Sequence, residues 1–158
     1  VLTRVEEHDT VFELDMDAEP QSLREAAGLI AWYDRHGWIW LQLTWDAEHG
    51  RHLRVVRRHN GITTRSAAYV APIGPLRLRA ALNGPSLRFA FAPERGHSEP
   101  AASTWTEIPE EFPAWSLSDD DGPRLRFTGM FLGLRVDDLD GRGWPADSTR
   151  AHMCAIRP

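Results

Sequence analysis

Lysine is absent from this chain: all 18 basic residues among its 158 are arginines. Aspartate and glutamate together number 23, so the formal net charge is -5. A net acidic chain excludes nucleic acid and anionic membrane surfaces as main partners, because both reward a basic face. The missing lysine reads as genomic composition bias, since a phosphate-binding surface would cluster its cations. One local cluster exists: Arg51, Arg54, Arg57 and Arg58 alternate with Leu53, Val55 and Val56, as on the solvated face of a strand. Cysteine is nearly absent. Cys154 stands alone, so no intramolecular disulfide forms and the core must hold the domain. A cytoplasmic location is the expectation. Long apolar runs are also lacking: none approaches the roughly 18 residues that span a bilayer. The first residues, Val1-Leu2-Thr3-Arg4, carry no apolar signal-peptide core.

The motifs of catalysis are missing as well. Hydrolysis of a glycoside requires two carboxyl groups facing each other across the scissile bond. The acidic residues here fall on exposed strand faces or in turns. Asp119, Asp120 and Asp121 adjoin in one loop and cannot flank a sugar from two sides. Their plain reading is a solvated loop, with calcium ligation as the alternative, and Asp137-Asp138-Leu139-Asp140-Gly141 reads the same way. No HExxH or Cys/His zinc pattern occurs among the histidines. His49 and His52 flank a turn and share one surface, but no metal is expected there. No nucleophile elbow, phosphate loop or dinucleotide fingerprint is found. The expectation is therefore no catalytic residue, no metal and no cofactor, a structural calcium aside.

What is present is period two. Phe12, Leu14 and Met16 alternate with Glu13, Asp15 and Asp17; Ile39, Leu41 and Leu43 alternate with Trp38, Trp40 and Gln42. Leu76, Leu78, Ala80 and Leu82 alternate with Arg77 and Arg79, and Leu87, Phe89 and Phe91 with Arg88 and Ala90. Each pattern predicts a half-buried strand. Asn60-Gly61 and Asn83-Gly84 predict hairpin turns, and Asp46 to Gly50 a longer hairpin loop. Leu23, Ala26, Ala27 and Ile30 fit a helical stripe, but the apolar run that follows favours a strand over about Ala27 to Tyr33. Short strands with close turns predict an all-β sandwich or barrel in one domain spanning residues 1–158.

Seven tryptophans are many for this length. Trp38 and Trp40 share one face of their strand, opposite Ile39, Leu41 and Leu43. Both faces of that strand are then apolar, which predicts a central strand covered on both sides. The cover for Trp38 and Trp40 is the second half of the sandwich, a neighbouring domain, or a sugar stacked on the rings.

Several stretches resemble a known family in order along the chain. They are Ala27-Gly28-Leu29-Ile30-Ala31-Trp32-Tyr33-Asp34 with Trp38 to Asp46; Gly74-Pro75-Leu76-Arg77-Leu78-Arg79 with Leu87-Arg88-Phe89; Phe127-Thr128-Gly129-Met130-Phe131-Leu132-Gly133-Leu134; and Asp137 to Arg142 with Pro145-Ala146-Asp147. From about residue 11 to 147 the chain resembles the C-terminal domain of family 43 glycoside hydrolases of the β-xylosidase and α-L-arabinofuranosidase type. The resemblance implies a concanavalin A-like jelly-roll sandwich of two antiparallel sheets. It also implies a partner, a five-bladed catalytic β-propeller whose acid signatures are nowhere in these residues.

On that resemblance the expected role is an accessory domain that packs on the propeller and shapes its active-site rim during xylan or xylo-oligosaccharide degradation. The rim position carried over from the family falls in the loop Ser118 to Phe127, at Arg126 or Phe127. Trp38 and Trp40 are the candidates for sugar stacking or interdomain packing. An autonomous carbohydrate-binding module that takes xylo-oligosaccharide, and a stand-alone homo-oligomeric sandwich, are the alternatives. The family's opening strands are not evident, and the tail from Ser148 to Pro158 lacks the aromatics of the usual final strand.

Overall fold

The structure is a computed structural model that describes residues 2–6, 9–94, 104–119 and 129–155. Two antiparallel sheets face each other. The first is seven-stranded and runs β1 (Leu2–Arg4), β12 (Phe131–Asp138), β3 (Glu25–Asp34), β4 (Gly37–Asp46), β5 (Gly50–His59), β6 (Ile62–Arg65), with β7 (Tyr69–Val70) also on β5. The second is six-stranded and runs β10 (Thr106–Glu107), β9 (Ser86–Pro93), β8 (Leu76–Asn83), β2 (Asp9–Ala18), β13 (Ala146–Ala155), with β11 (Phe112–Pro113) also on β9. A short 3-10 turn, Ala114–Leu117, follows β11.

The period-two residues meet between the sheets. Phe12, Leu14 and Met16 of β2, the leucines of β8, and Phe89 and Phe91 of β9 face Leu29, Ile39, Leu41, Leu43, Leu53 and Val55 in one buried cluster. Each such side chain contributes about 1.5–3 kcal/mol by leaving water, which is how a chain with one cysteine dispenses with a disulfide. The helical stripe at Leu23 to Ile30 is overruled, because β3 lies between β12 and β4 and both of its faces are buried.

Turn chemistry sets the register. Asn60 (φ 50°) and Gly61 (φ 83°) join β5 to β6 in left-handed conformations that suit a tight hairpin. The β8–β9 turn differs from expectation by one residue. Asn83 pairs with Ser86, so the central positions are Gly84 and Pro85, with Gly84 at φ 52°.

Two further expectations are corrected. The four arginines of β5 do not share a face. Leu53 and Val55 lie in the core, so Arg51 and Arg57 point to that side of the sheet and Arg54 and Arg58 to the other. Arg51 donates to the carbonyls of Ala18, Pro72 and Gly74 and is a tie, not a solvated charge. The tail also forms a strand. Residues Ala146 to Ala155 pair with β2, and Met153 and Ala146 pack against the core. Aromatics are unnecessary there because backbone pairing to β2 holds the edge. Among the described residues no helix is long and apolar enough to cross a membrane.

Candidate functional site

The outer face of the seven-stranded sheet carries a second apolar cluster, separate from the core. Strand pairing lines up Phe131, Trp32, Trp38 and Arg58 in one row, Gly133, Ile30, Trp40 and Val56 in the next, and Arg135, Gly28, Gln42 and Arg54 in a third. Ala26, Ile30 and Trp40 are buried, and Trp32 and Trp38 pack against them half-buried. Trp38 and Trp40 therefore share the face opposite Ile39, Leu41 and Leu43. The second sheet covers those three, not the tryptophans.

Trp40 is only 2% exposed although it stands on an outer face. Two neighbours account for this. Gly28 has no side chain, and a Cβ built there would lie 3.2 Å from Trp40 Nε1. Arg135 reaches across Gly28 from β12, two strands away, and covers the rings, its guanidinium carbon 4.4 Å from the Trp40 ring centre and 4.9 Å from that of Trp38. Asp137 holds Arg135 in a two-point pair at 2.9 and 2.7 Å. A cation over an indole face is attracted by the ring quadrupole, and it also takes the surface on which a sugar would stack. Among the described residues Trp40 Nε1 has no hydrogen-bond acceptor.

Arg126 and Phe127 lie outside the described residues, as do Asp120 and Asp121. The described residues on either side are tied together. The Asp119 carboxylate accepts from the Tyr33 hydroxyl and from Gly129 N at 3.5 Å. Beside them opens a cleft lined by Val5, Leu82, Pro85, Trp115, Asp119 and Met130. Trp115 is 55% exposed at its mouth.

The other acidic loop is occupied by its own backbone. Asp138 accepts from the N–H groups of Asp140, Gly141, Gly143 and Trp144 at 2.8–3.1 Å. Those donors, Trp144 first, hold its carboxyl below the usual carboxylate range. Asp140 pairs with Arg24 at 2.8 Å. On the outer face of the six-stranded sheet, Arg77 and Arg79 lie under the Trp105 ring at 4.5 and 3.9 Å and pair with Glu13.

Sequence reasoning placed His49 and His52 on one surface but left out Asp46. Asp46, His49 and His52 converge at the β4–β5 hairpin with their ligand atoms within 4.8 Å of one another. The spacing Asp-x-x-His-x-x-His was visible, but only the three-residue loop folds it into one place.

Residues 1–152 match the family model described as the β-xylosidase C-terminal concanavalin A-like domain. The match takes in both β1 and most of β13, beyond the limits of the sequence resemblance. A putative β-xylosidase of Escherichia coli K12 is 28% identical over 141 residues, covering 85% of this chain and 25% of the relative. A xylan 1,3-β-xylosidase of a Vibrio species is 27% identical over 150 residues, covering 93% of this chain and 27% of the relative. The chain thus spans about a quarter of the length of these relatives. A xylan β-1,4-xylosidase structure from Bacillus halodurans superposes with a TM-score of 0.86 at 22% identity, over 96% of this chain and 28% of that one. At that identity the likeness speaks for the fold.

Proposed function

From the premise that this chain belongs to the family of β-xylosidase C-terminal concanavalin A-like domains, we propose that it is the accessory sandwich of a β-xylosidase-like family 43 glycoside hydrolase. In this reading it packs on a catalytic β-propeller, shapes the rim of the active-site pocket, and is not catalytic alone. The parent activity is release of xylose units from xylan or xylo-oligosaccharides.

The observation that carries the reading is the outer cluster around Trp40. A sandwich needs one apolar face per sheet, and this sheet has two. Around the buried Trp40 this second face leaves Trp32 and Trp38 only half-buried, aromatic residues of the kind enriched where a partner covers a surface. The matched relatives are about four times as long as this chain, which supports a neighbouring domain as the occupant. Sugar stacking is the weaker reading for Trp38 and Trp40, because Arg135 already lies on both rings.

The test is gel filtration of the chain mixed with a family 43 propeller from the same genome. Co-elution that is lost with Trp32→Ser, at the half-buried edge of the patch, supports the reading. Separate elution of both, with propeller activity unchanged, overturns it. Saturable heat on calorimetric titration with xylo-oligosaccharides would instead favour a carbohydrate-binding module.

A further inference from the structure

The hairpin between β4 and β5 brings one carboxylate and two imidazoles together. Asp46 ends β4 and pairs with Gly50, whose φ of 64° returns the chain after a three-residue loop. The loop fixes the carboxylate, because Asp46 Oδ1 accepts from the backbone N–H of Glu48 at 3.0 Å and of His49 at 2.7 Å. The His49 Nδ1 atom then lies 3.1 and 3.3 Å from the two Asp46 oxygens. His52 enters from β5 and is wholly buried. Its Nδ1 is 2.8 Å from the Gly50 carbonyl, which can only accept, so the proton sits on Nδ1 and Nε2 presents its lone pair. That Nε2 is 3.6 Å from Asp46 Oδ2.

We infer that Asp46, His49 and His52 form a binding site for one divalent late-transition-metal ion of the zinc type, and that Arg54 occupies the cation position until the ion displaces it. Four ligands at about 2.1 Å from zinc form a tetrahedron with edges of about 3.4 Å. With Asp46 Oδ2 as the ligand atom, His49 Nδ1 at 3.3 Å and His52 Nε2 at 3.6 Å fall on either side of that value, and the ligand atoms of all three residues lie within 4.8 Å of one another. Two imidazoles and one carboxylate suit zinc, nickel or copper and not calcium or magnesium. The outer contacts are in place as well: the Gly50 carbonyl orients His52, and two backbone N–H groups orient Asp46. The Arg54 guanidinium donates to Asp46 Oδ2 at 2.8 Å and to His52 Nε2 from Nε at 2.9 Å. It thus places a positive charge on two of the three ligand atoms. A long side chain on the sheet's outer face can swing away, leaving the ligands with a fourth position for water.

The experiment is calorimetric titration of the whole chain with zinc chloride. His49→Asn and Arg54→Gln are run in parallel, because His49 is exposed and neither residue belongs to the core. The expected result is one zinc per chain. Loss of His49, a direct ligand, weakens binding by more than the roughly 10–100-fold that loss of an outer contact costs, and loss of Arg54, a competing cation, strengthens it. Cobalt supplies a second measurement on the unaltered chain: intense visible bands of four-coordinate cobalt that His49→Asn removes. Absence of saturable zinc binding in both the unaltered chain and Arg54→Gln overturns the assignment, leaving a salt-bridge network only. Zinc binding unchanged in His49→Asn overturns it too, since the ion then sits elsewhere. Should Arg54→Gln fail to fold, the cobalt spectrum and the His49→Asn titration still decide.

Discussion

The indole of Trp40 lies across Gly28 of the neighbouring strand, its Nε1 3.2 Å from where a Cβ would stand. The same Cβ would lie 1.9 Å from the Leu41 carbonyl oxygen. Backbone cannot yield as a flexible side chain does, so the two strands would have to part. Gly28→Ala is expected to destabilise the chain by about 1–3 kcal/mol, the usual cost of overpacking. Urea denaturation measures it, and an unchanged midpoint would show that the strands adjust freely.

Arg135 and Asp137 should differ in effect although they form one pair. Removing Arg135 uncovers two indole faces, so Arg135→Ala is expected to cost about 0.5–1 kcal/mol from the cation–π contact. Asp137→Ala only frees the guanidinium of a half-exposed pair and is expected to cost less than about 1 kcal/mol. Quenching by acrylamide distinguishes them further: tryptophan emission becomes more accessible in Arg135→Ala than in Asp137→Ala.

Tyr33 and Asp119 join β3 to the segment after the 3-10 turn. The Tyr33 ring packs in the core, so Tyr33→Phe keeps the packing and removes only the donor. The expected loss is about 1.5–3 kcal/mol, the range for a hydrogen bond to a charged group. Amide exchange at Leu117 to Asp119 should quicken in the same variant. Unaltered exchange there would show that the contact does not anchor the segment.

Asp46 predicts acid behaviour. The His49 backbone N–H first, then the His49 ring and the nearby His52, lower its pKa from 3.8 to about 2. A depressed carboxylate pKa contributes stability above the unfolded value and loses it as pH falls through the folded one. Stability should therefore drop between about pH 4 and pH 2, and Asp46→Asn should flatten that drop without abolishing it. Glu13 and Asp138 are also depressed and act with the same sign. Denaturation midpoints measured from pH 5 to pH 2 check this, and identical slopes for both proteins would count against it.

Much of the fold was legible because alternation is a local property. Phe12-x-Leu14-x-Met16 declares its buried side wherever β2 pairs, and Asn60-Gly61 declares its turn. The candidate sites were legible only in part. Trp38 and Trp40 announced a shared face, but their cover, Arg135, stands some 95 residues away in sequence, and no local pattern links them. The tail from Ala146 to Ala155 looked unlike a final strand because its residues are polar and mostly exposed. An edge strand needs only backbone donors and acceptors in register, and β2 supplies those.

The sequence by itself determined the β class, the inward residues of most strands and the family motifs. Each of these is carried by residue types at short spacing. The tertiary structure decided which apolar face of β4 the second sheet covers. It also decided that Arg51 ties loops together while Arg54 faces outward, and that Asp46, His49, His52 and Arg54 meet at one hairpin. Those outcomes depend on which strands pair and in what register, and pairing is settled by the whole core at once.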